Sequence, residues 1–197
     1  DLRSQKIENV LALRGDPPAG TTTFVPVEGG FHHANELIAF IREHHDHFCL
    51  GAACYPEGHP EAPNSEADLA NLKRKVDTGV DFLISQLFFD NADFFTFQER
   101  ARRAGITVPI IAGIMPILSV GQIKRFTQMC GARIPADLLR RVEAVEDDPE
   151  AVRQIGMYHS TQQCLDLLRG GVAGIHFYTL NRSTATRAIF QLIRSGI

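Results

Sequence analysis

The chain has 197 residues, of which 44% are hydrophobic and 22% are charged, a balance typical of a globular protein with a substantial core. This composition excludes disorder, collagen and coiled coil as descriptions of the whole chain. Twenty Lys and Arg against 23 Asp and Glu give a net charge of −3. Such a chain has no general electrostatic reason to bind nucleic acid or an anionic membrane, and we expect neither as a partner.

The termini and the cysteines indicate the compartment. No apolar run approaches the ~20 residues needed to cross a bilayer, and the polar N-terminus shows no signal peptide. The first residue is Asp rather than Met, which indicates that residues upstream have been removed. The four cysteines are scattered, without the spacing of a zinc site or a redox pair. We therefore expect a reduced, cytoplasmic protein without a bound metal.

Five short apolar runs alternate with helical patterns along the chain, and each run predicts a strand. The strands are predicted at residues 9–13, 49–55, 82–89, 108–115 and 174–180. The helices are predicted at 35–45, 65–78, 94–104 and 120–130, then from 135, at 149–169 and at 183–194. Capping residues mark two helix starts, since Asn64 or Ser65 precedes one and Asp148, followed by Pro149, precedes another.

The continuous hydrophobicity of the runs indicates strands buried on both faces, as in a parallel sheet. Five alternations of strand and helix indicate a β/α repeat, and no linker-like stretch divides residues 1–197, so we predict a single domain. A doubly wound sheet would show a Gly-rich phosphate turn after an early strand, and the sequence has none. The simplest alternative is an α/β fold of the (β/α)8 TIM barrel family, here an incomplete barrel with about five β/α units.

Polar residues interrupt or follow each predicted strand. In β/α barrels the C-terminal ends of the strands carry the active site. A buried polar group needs a partner, so each of these residues has either a ligand or a structural hydrogen bond. Five such positions at one rim favour a site. They lie at residues 14–16, 55–61, 86, 113–116 and 176–182.

The helix after Asn64 carries a polar stripe. Asp68, Asn71 and Lys75 recur at helical spacing, and Arg74 lies at the edge of the stripe. A carboxylate can hold ribose hydroxyls, and Asn, Arg and Lys can hold phosphate oxygens. The stripe therefore suits a phosphate-bearing ligand, and a solvated helix face is the alternative with the same composition.

Two other patterns resemble catalytic motifs but do not favour catalysis. The run His44-His45-Asp46-His47 has metal-binding side chains, yet it falls at the end of a predicted helix, on the N-terminal rim of the sheet. Glu57 and Glu61 are four residues apart in a Pro-rich loop, which does not fix the separation that an acid/base pair needs.

Taken together, the rim motifs resemble the methylenetetrahydrofolate reductase family over essentially the whole chain, in the family's order and spacing. That resemblance implies a (β/α)8 barrel flavoenzyme that binds FAD at the C-terminal rim. It also implies hydride transfer from NADH or NADPH and reduction of 5,10-methylenetetrahydrofolate to 5-methyltetrahydrofolate. The motifs are Leu13-Arg14-Gly15-Asp16-Pro17, Tyr55-Pro56-Glu57-Gly58-His59-Pro60-Glu61-Ala62, Ala67-Asp68-Leu69 with Leu72-Lys73-Arg74-Lys75-Val76, Gln86-Leu87-Phe88-Phe89, Pro109-Ile110-Ile111-Ala112-Gly113-Ile114-Met115-Pro116 and His176-Phe177-Tyr178-Thr179-Leu180-Asn181-Arg182.

The resemblance also implies roles for individual residues. Asp16 would lie beside the flavin as a catalytic residue, tuning its potential and stabilising a cationic form of the substrate. The family usually has Tyr where His33 stands. The implied FAD contacts are Arg14, Gly15, Asp16, His33, Ala34, Tyr55, His59, Asp68, Asn71, Arg74 and Lys75. The implied substrate contacts are Asp16, Gln86, Gln122, Phe126, Tyr178 and Arg182, with Gln86 also contacting the nicotinamide.

One departure from the family pattern is an absence. The family's general-acid Glu, in a Glu-aromatic-Phe-Pro-Pro motif, is not among these residues, and neither are the first three strands. We therefore expect the parent enzyme, a homo-oligomer, to be active and residues 1–197 alone to lack turnover. Two alternatives remain open: another β/α-barrel enzyme of phosphate-bearing substrates, or a non-catalytic remnant that binds a nucleotide.

Overall fold

The computed structural model describes residues 2–17, 20–21 and 24–195. The described strands are β1 (Asn9–Ala12), β2 (Cys49–Cys54), β3 (Phe82–Ser85), β4 (Ile110–Ile114) and β5 (Ile175–Phe177). The described helices are α1 (Ala34–His44), α2 (Ser65–Asp77), α3 (Asn91–Arg103), α4 (Val120–Cys130), α5 (Ala136–Glu143), α6 (Pro149–Arg169) and α7 (Thr184–Ser195).

The five strands form one sheet in the order β1-β2-β3-β4-β5, and every neighbouring pair is parallel. The sheet is curled into a half-barrel with helices on its outside, which confirms the predicted incomplete barrel. Because all strands run in the same direction, their carboxyl ends share one rim.

Two clusters of buried side chains hold the half-barrel together. The larger cluster lies between the sheet and the helices that connect the strands, and includes Leu50, Leu83, Phe94 and Ile114. The second lies beyond the carboxyl ends of β3 and β4, under helices α4, α5 and α6. The loops after β3 and β4 pack into this second cluster.

Two helix starts agree with the caps marked in the sequence, because capping is local, whereas α3 begins at Asn91, three residues before its predicted start. Asn64 accepts a hydrogen bond from the backbone of Ala67, and Asp148 accepts from the backbone of Glu150 and Ala151. The strands are shorter than predicted. The apolar run 82–89 leaves the sheet after Ser85, and Leu87 and Phe89 pack into the second cluster instead. An apolar run does not distinguish a strand from a buried loop.

The described part of the chain contains neither a candidate membrane-spanning helix nor a candidate metal-binding cluster. None of its helices is long and apolar enough to cross a membrane. Among the same residues, no three His, Cys, Asp or Glu side chains are grouped so that they could hold a metal ion. In the His44–His47 run, the ring of His44 instead bonds the carbonyl of Phe40 within α1.

Candidate active site

The loop after β1 begins with a paired arginine. Arg14 donates two parallel hydrogen bonds to Glu61, at 2.8 and 2.7 Å, and its guanidinium lies 4.8 Å above the ring of Phe24. The bonds raise the pKa of Arg14 and lower that of Glu61. The negative charge of Asp16 raises the pKa of both Arg14 and Tyr55, so Asp16 lies close to these two side chains. Glu61 was not predicted as the partner of Arg14, because 47 residues separate the two.

A mostly apolar groove runs from this arginine to the start of α1. Three residues predicted to contact FAD line it: Arg14, His33 and Ala34. His33 is the exposed N-cap of α1 and Ala34 is the first residue of that helix. The sequence placed these residues at the two ends of the segment between the first predicted strand and the first predicted helix, and the fold brings them to one groove.

The loop after β2 presents two rings. The ring centroids of Tyr55 and His59 are 4.5 Å apart in an edge-on arrangement. The backbone N–H of Glu61 donates to Nδ1 of His59 at 3.1 Å, which leaves the other ring nitrogen to carry the proton. Burial lowers the pKa of His59 and raises that of Tyr55. Both side chains are therefore neutral hydrogen-bonding groups near pH 7.

The predicted polar stripe on α2 divides into two pairs. Asp68 and Lys75 are partly buried: the backbone N–H of His59 donates to Asp68, and Lys75 donates to the carbonyl of Ala53 at 2.9 Å. Desolvation raises the pKa of Asp68 and lowers that of Lys75. Asn71 and Arg74 are exposed, and Arg74 donates to the side-chain oxygen of Asn71.

Gln86 lies at the centre of the rim. Its backbone N–H donates to the carbonyl of Cys54 at 2.7 Å, and its Oε1 accepts from the backbone of Leu87 at 2.8 Å. No described residue accepts from its side-chain NH2 group, which is therefore available as a donor to a ligand.

A cleft between α4 and the loop after β5 brings together three of the predicted substrate contacts: Gln122, Tyr178 and Arg182. Phe126 follows Gln122 by one helical turn and packs, with Tyr178, against the second cluster. The hydroxyl of Tyr178 donates to the carbonyl of Ser85 at 2.8 Å. Tyr178 and Tyr55 are close enough for the ionisation of one to affect the pKa of the other, so this cleft adjoins the ring pair of the β2 loop.

Glu57 and Glu61 do not face each other as an acid/base pair, because each binds a different arginine. Glu57, whose side chain is 10% exposed, accepts from the backbone and Nε of Arg133 at 3.0 and 3.1 Å. Arg133 also bonds Asp93, and Oε2 of Glu57 has no partner among the described residues. Burial raises the pKa of Glu57. Nothing in the sequence pattern linked these residues.

The sheet and its rim define a protein of the β/α-barrel class, with its polar side chains gathered at the carboxyl ends of the strands. The family model of methylenetetrahydrofolate reductase matches residues 1–194. The chain therefore belongs to the methylenetetrahydrofolate reductase family, which confirms the resemblance read from the motifs.

Individual relatives agree with this assignment. The chain is 44% identical to methylenetetrahydrofolate reductase (NADH) 1 of Zea mays over 200 residues, covering 96% of this chain and 34% of the relative. It is 39% identical to 5,10-methylenetetrahydrofolate reductase of Escherichia coli over 199 residues, covering 100% and 65%. The chain thus spans about a third of the plant relative and 65% of the bacterial one.

A solved structure shares the fold. It is an uncharacterized protein from Clostridium thermocellum that binds two copies of 5-methyl-5,6,7,8-tetrahydrofolic acid. The TM-score is 0.56 at 15% identity, and the match covers 96% of this chain and 71% of the other. At that identity the likeness supports the half-barrel architecture alone.

Proposed function

We propose that the protein carrying this chain reduces 5,10-methylenetetrahydrofolate to 5-methyltetrahydrofolate, with FAD as cofactor and NADH or NADPH as hydride donor. The observation that carries the proposal is the set of polar side chains at the rim of a family member, which includes Arg14, Tyr55, Gln86 and Arg182. Relatives named for NADH and for NADPH both support a nicotinamide donor without deciding between the two.

The residues present fit a flavin dinucleotide. Lys75 is a partly buried cation whose hydrogen bond goes to a neutral carbonyl, so its charge remains available to a phosphate. Asp68 can accept from ribose hydroxyls, and the apolar groove beside Arg14, His33 and Ala34 suits a flat ring system. FAD, when bound, supplies a carrier that takes a hydride from the nicotinamide and passes it to the folate.

The chain's own residues would bind and orient the reacting groups. The NH2 group of Gln86 would donate to a ring carbonyl of the pterin or of the nicotinamide carboxamide. Arg182 is exposed at the mouth of the cleft, where a guanidinium would hold the carboxylates of a glutamate tail. The negative charge of Asp16 would stabilise a cationic form of the substrate.

The compartment and assembly belong to the same proposal. Cys49, Cys54, Cys130 and Cys164 are all free thiols, which supports a reducing, cytoplasmic setting. β1 and β5 each have one neighbour among the described strands. We expect further strands of the parent chain to cover these edges within a homo-oligomer.

The first measurement is the visible absorption spectrum of the purified protein, followed by titration with FAD and assay of NADH oxidation. We expect flavin bands at close to one cofactor per chain. A protein that stays colourless with added FAD, although its parent chain is intact, would contradict the flavoenzyme assignment.

The Lys75→Met variant tests the phosphate contact. Losing a charged hydrogen bond should weaken FAD binding roughly tenfold or more. Lys73→Met is the matched control, because Lys73 lies on the same helix but pairs with Asp77 at its exposed side. FAD affinity, measured by fluorescence quenching, should be unchanged in the control. Equal affinities in both variants would remove Lys75 from the site.

A further inference from the structure

The ladder between β3 and β4 ends one residue before Ser85. Its last paired residues are Ile84 and Ile111. Beyond them, the side chain of Ser85 connects the two strands, because its Oγ accepts a hydrogen bond from the backbone N–H of Gly113 at 2.8 Å. Ser85 is fully buried, so this bond replaces a strand contact inside the protein rather than at its surface.

The carbonyl of Ser85 is bound by the side chain of Tyr178. The hydroxyl donates at 2.8 Å, and the backbone N–H of Tyr178 donates to Ile114 at 2.9 Å, which fixes the base of the side chain. A Cβ on Gly113 would lie 2.1 Å from the Ser85 oxygen and 2.7 Å from the Tyr178 ring. Only glycine permits this approach, so the carboxyl ends of β3, β4 and β5 pack directly against one another here.

We propose that Tyr178 is a positioning residue, which acts through the Ser85 carbonyl on Gln86 rather than binding substrate with its hydroxyl. The Ser85 carbonyl and the Gln86 N–H belong to one peptide group. Tyr178 binds the oxygen of that group, and the Cys54 carbonyl accepts from its nitrogen at 2.7 Å. The peptide is therefore held at both ends.

Clamping this peptide fixes the direction of the Gln86 side chain. With the backbone fixed, and Oε1 held by the N–H of Leu87, the NH2 group of Gln86 points in one direction. The single hydroxyl hydrogen of Tyr178 is already used, and burial raises the pKa of Tyr178, so it does not act as an acid. The inference rests on the proposed function, in which Gln86 contacts both substrates.

The experiment combines Tyr178→Phe with Gln86→Ala in the protein that carries this chain. Tyr178→Phe alone should lower kcat/KM for the folate and for the nicotinamide donor by a similar factor, about three- to tenfold, as expected for one neutral hydrogen bond. In the Gln86→Ala background it should have no further effect. A full effect in that background, or an effect on the folate alone, would overturn the proposal.

Amide hydrogen exchange supplies a readout that does not depend on activity. Tyr178→Phe should speed exchange at Gln86 and Leu87, whereas Tyr158→Phe, at an exposed tyrosine of α6, should not. Unchanged exchange at Gln86 would overturn the coupling. Faster exchange in a protein without flavin or turnover would support the coupling and contradict only the proposed function.

Discussion

Glu57 shows how a single residue ties two parts of the rim together. Its buried carboxylate lies in the loop that carries Tyr55 and His59, and its partner Arg133 lies between α4 and α5. Helix α4 carries Gln122 and Phe126. The Glu57–Arg133 contact therefore joins the loop predicted to bind the flavin to the helix predicted to bind the folate.

This contact predicts a pH-dependent stability. Burial raises the pKa of Glu57 above its unfolded value, so the folded protein holds a proton that the unfolded chain releases, and stability falls as pH rises through this interval. Arg133→Gln removes the cation that favours the charged carboxylate. The urea midpoint of unfolding of this variant should therefore be lowered, relative to that of the unmodified protein, by more at pH 8 than at pH 5.

The controls separate this effect from general loss of a surface charge. Adding Glu57→Gln to Arg133→Gln should abolish the added pH dependence, because the buried carboxylate that pairs with this arginine is then absent. Arg140→Gln breaks an exposed pair with Asp137 and should leave the midpoint unchanged at both pH values. The same shift in Arg140→Gln would show that Glu57 is not the titrating group.

Individual site residues were predictable only where a motif carried them. Tyr55 and His59 stand at and just after the end of a predicted strand, and Gln86 interrupts the apolar run 82–89, which pointed to the rim. Ser85 was missed because it reads as one more residue of an apolar run, and its partners lie 28 and 93 residues away. Contacts over such distances form only when the strands assemble into the sheet, and no local period in the sequence reveals them.

Helices were predicted more accurately than strands, for a physical reason. A cap such as Asp148 with Pro149 acts within a few residues, so the sequence contains the whole determinant of where α6 begins. The end of a strand is decided by its neighbours. The last run, 174–180, forms only Ile175–Phe177 as strand, because the chain then turns through Leu180 and Asn181 at positive φ.

Helix α6 depends on one glycine for its packing. Gly156 lies in the middle of the helix, where an added Cβ would approach the carbonyl oxygen of Ile117 to 2.0 Å. Alanine normally favours a helix over glycine by ~1 kcal/mol. Here the clash with backbone should dominate, and Gly156→Ala should destabilise the protein by about 3 kcal/mol in urea unfolding.

A second helical glycine provides the matched control. Gly121 in α4 has nothing within 4 Å of the position of an added Cβ. Gly121→Ala should therefore stabilise the protein by roughly 0.5–1 kcal/mol, through helix propensity alone. If both substitutions stabilised it, the close contact between α6 and the loop after β4 would be wrong.

At the scale of the whole molecule, the five described strands form a sheet with two unpaired edges. β1 and β5 are each paired along one side in the described residues. Apolar side chains flank the first opening, with Leu11 39% and Leu13 50% exposed, and α7 near the second exposes Phe190 and Leu192. The alternation of strands and helices predicted a parallel sheet of the barrel type. The count of five strands predicted that this sheet is incomplete, because five parallel strands are too few to close a barrel.

Open edges predict self-association of a preparation limited to residues 1–197. Unpaired strand edges beside exposed apolar side chains favour pairing with another copy. Sedimentation velocity should show a weight-average mass that rises with concentration. Leu11→Lys with Leu13→Lys should shift the equilibrium toward monomer, because charge at an edge strand opposes pairing. Met129→Lys changes an exposed apolar residue on α4 and should not shift it. A monomer at every concentration would mean that these edges are covered within the chain itself, and β1 would then have a second partner.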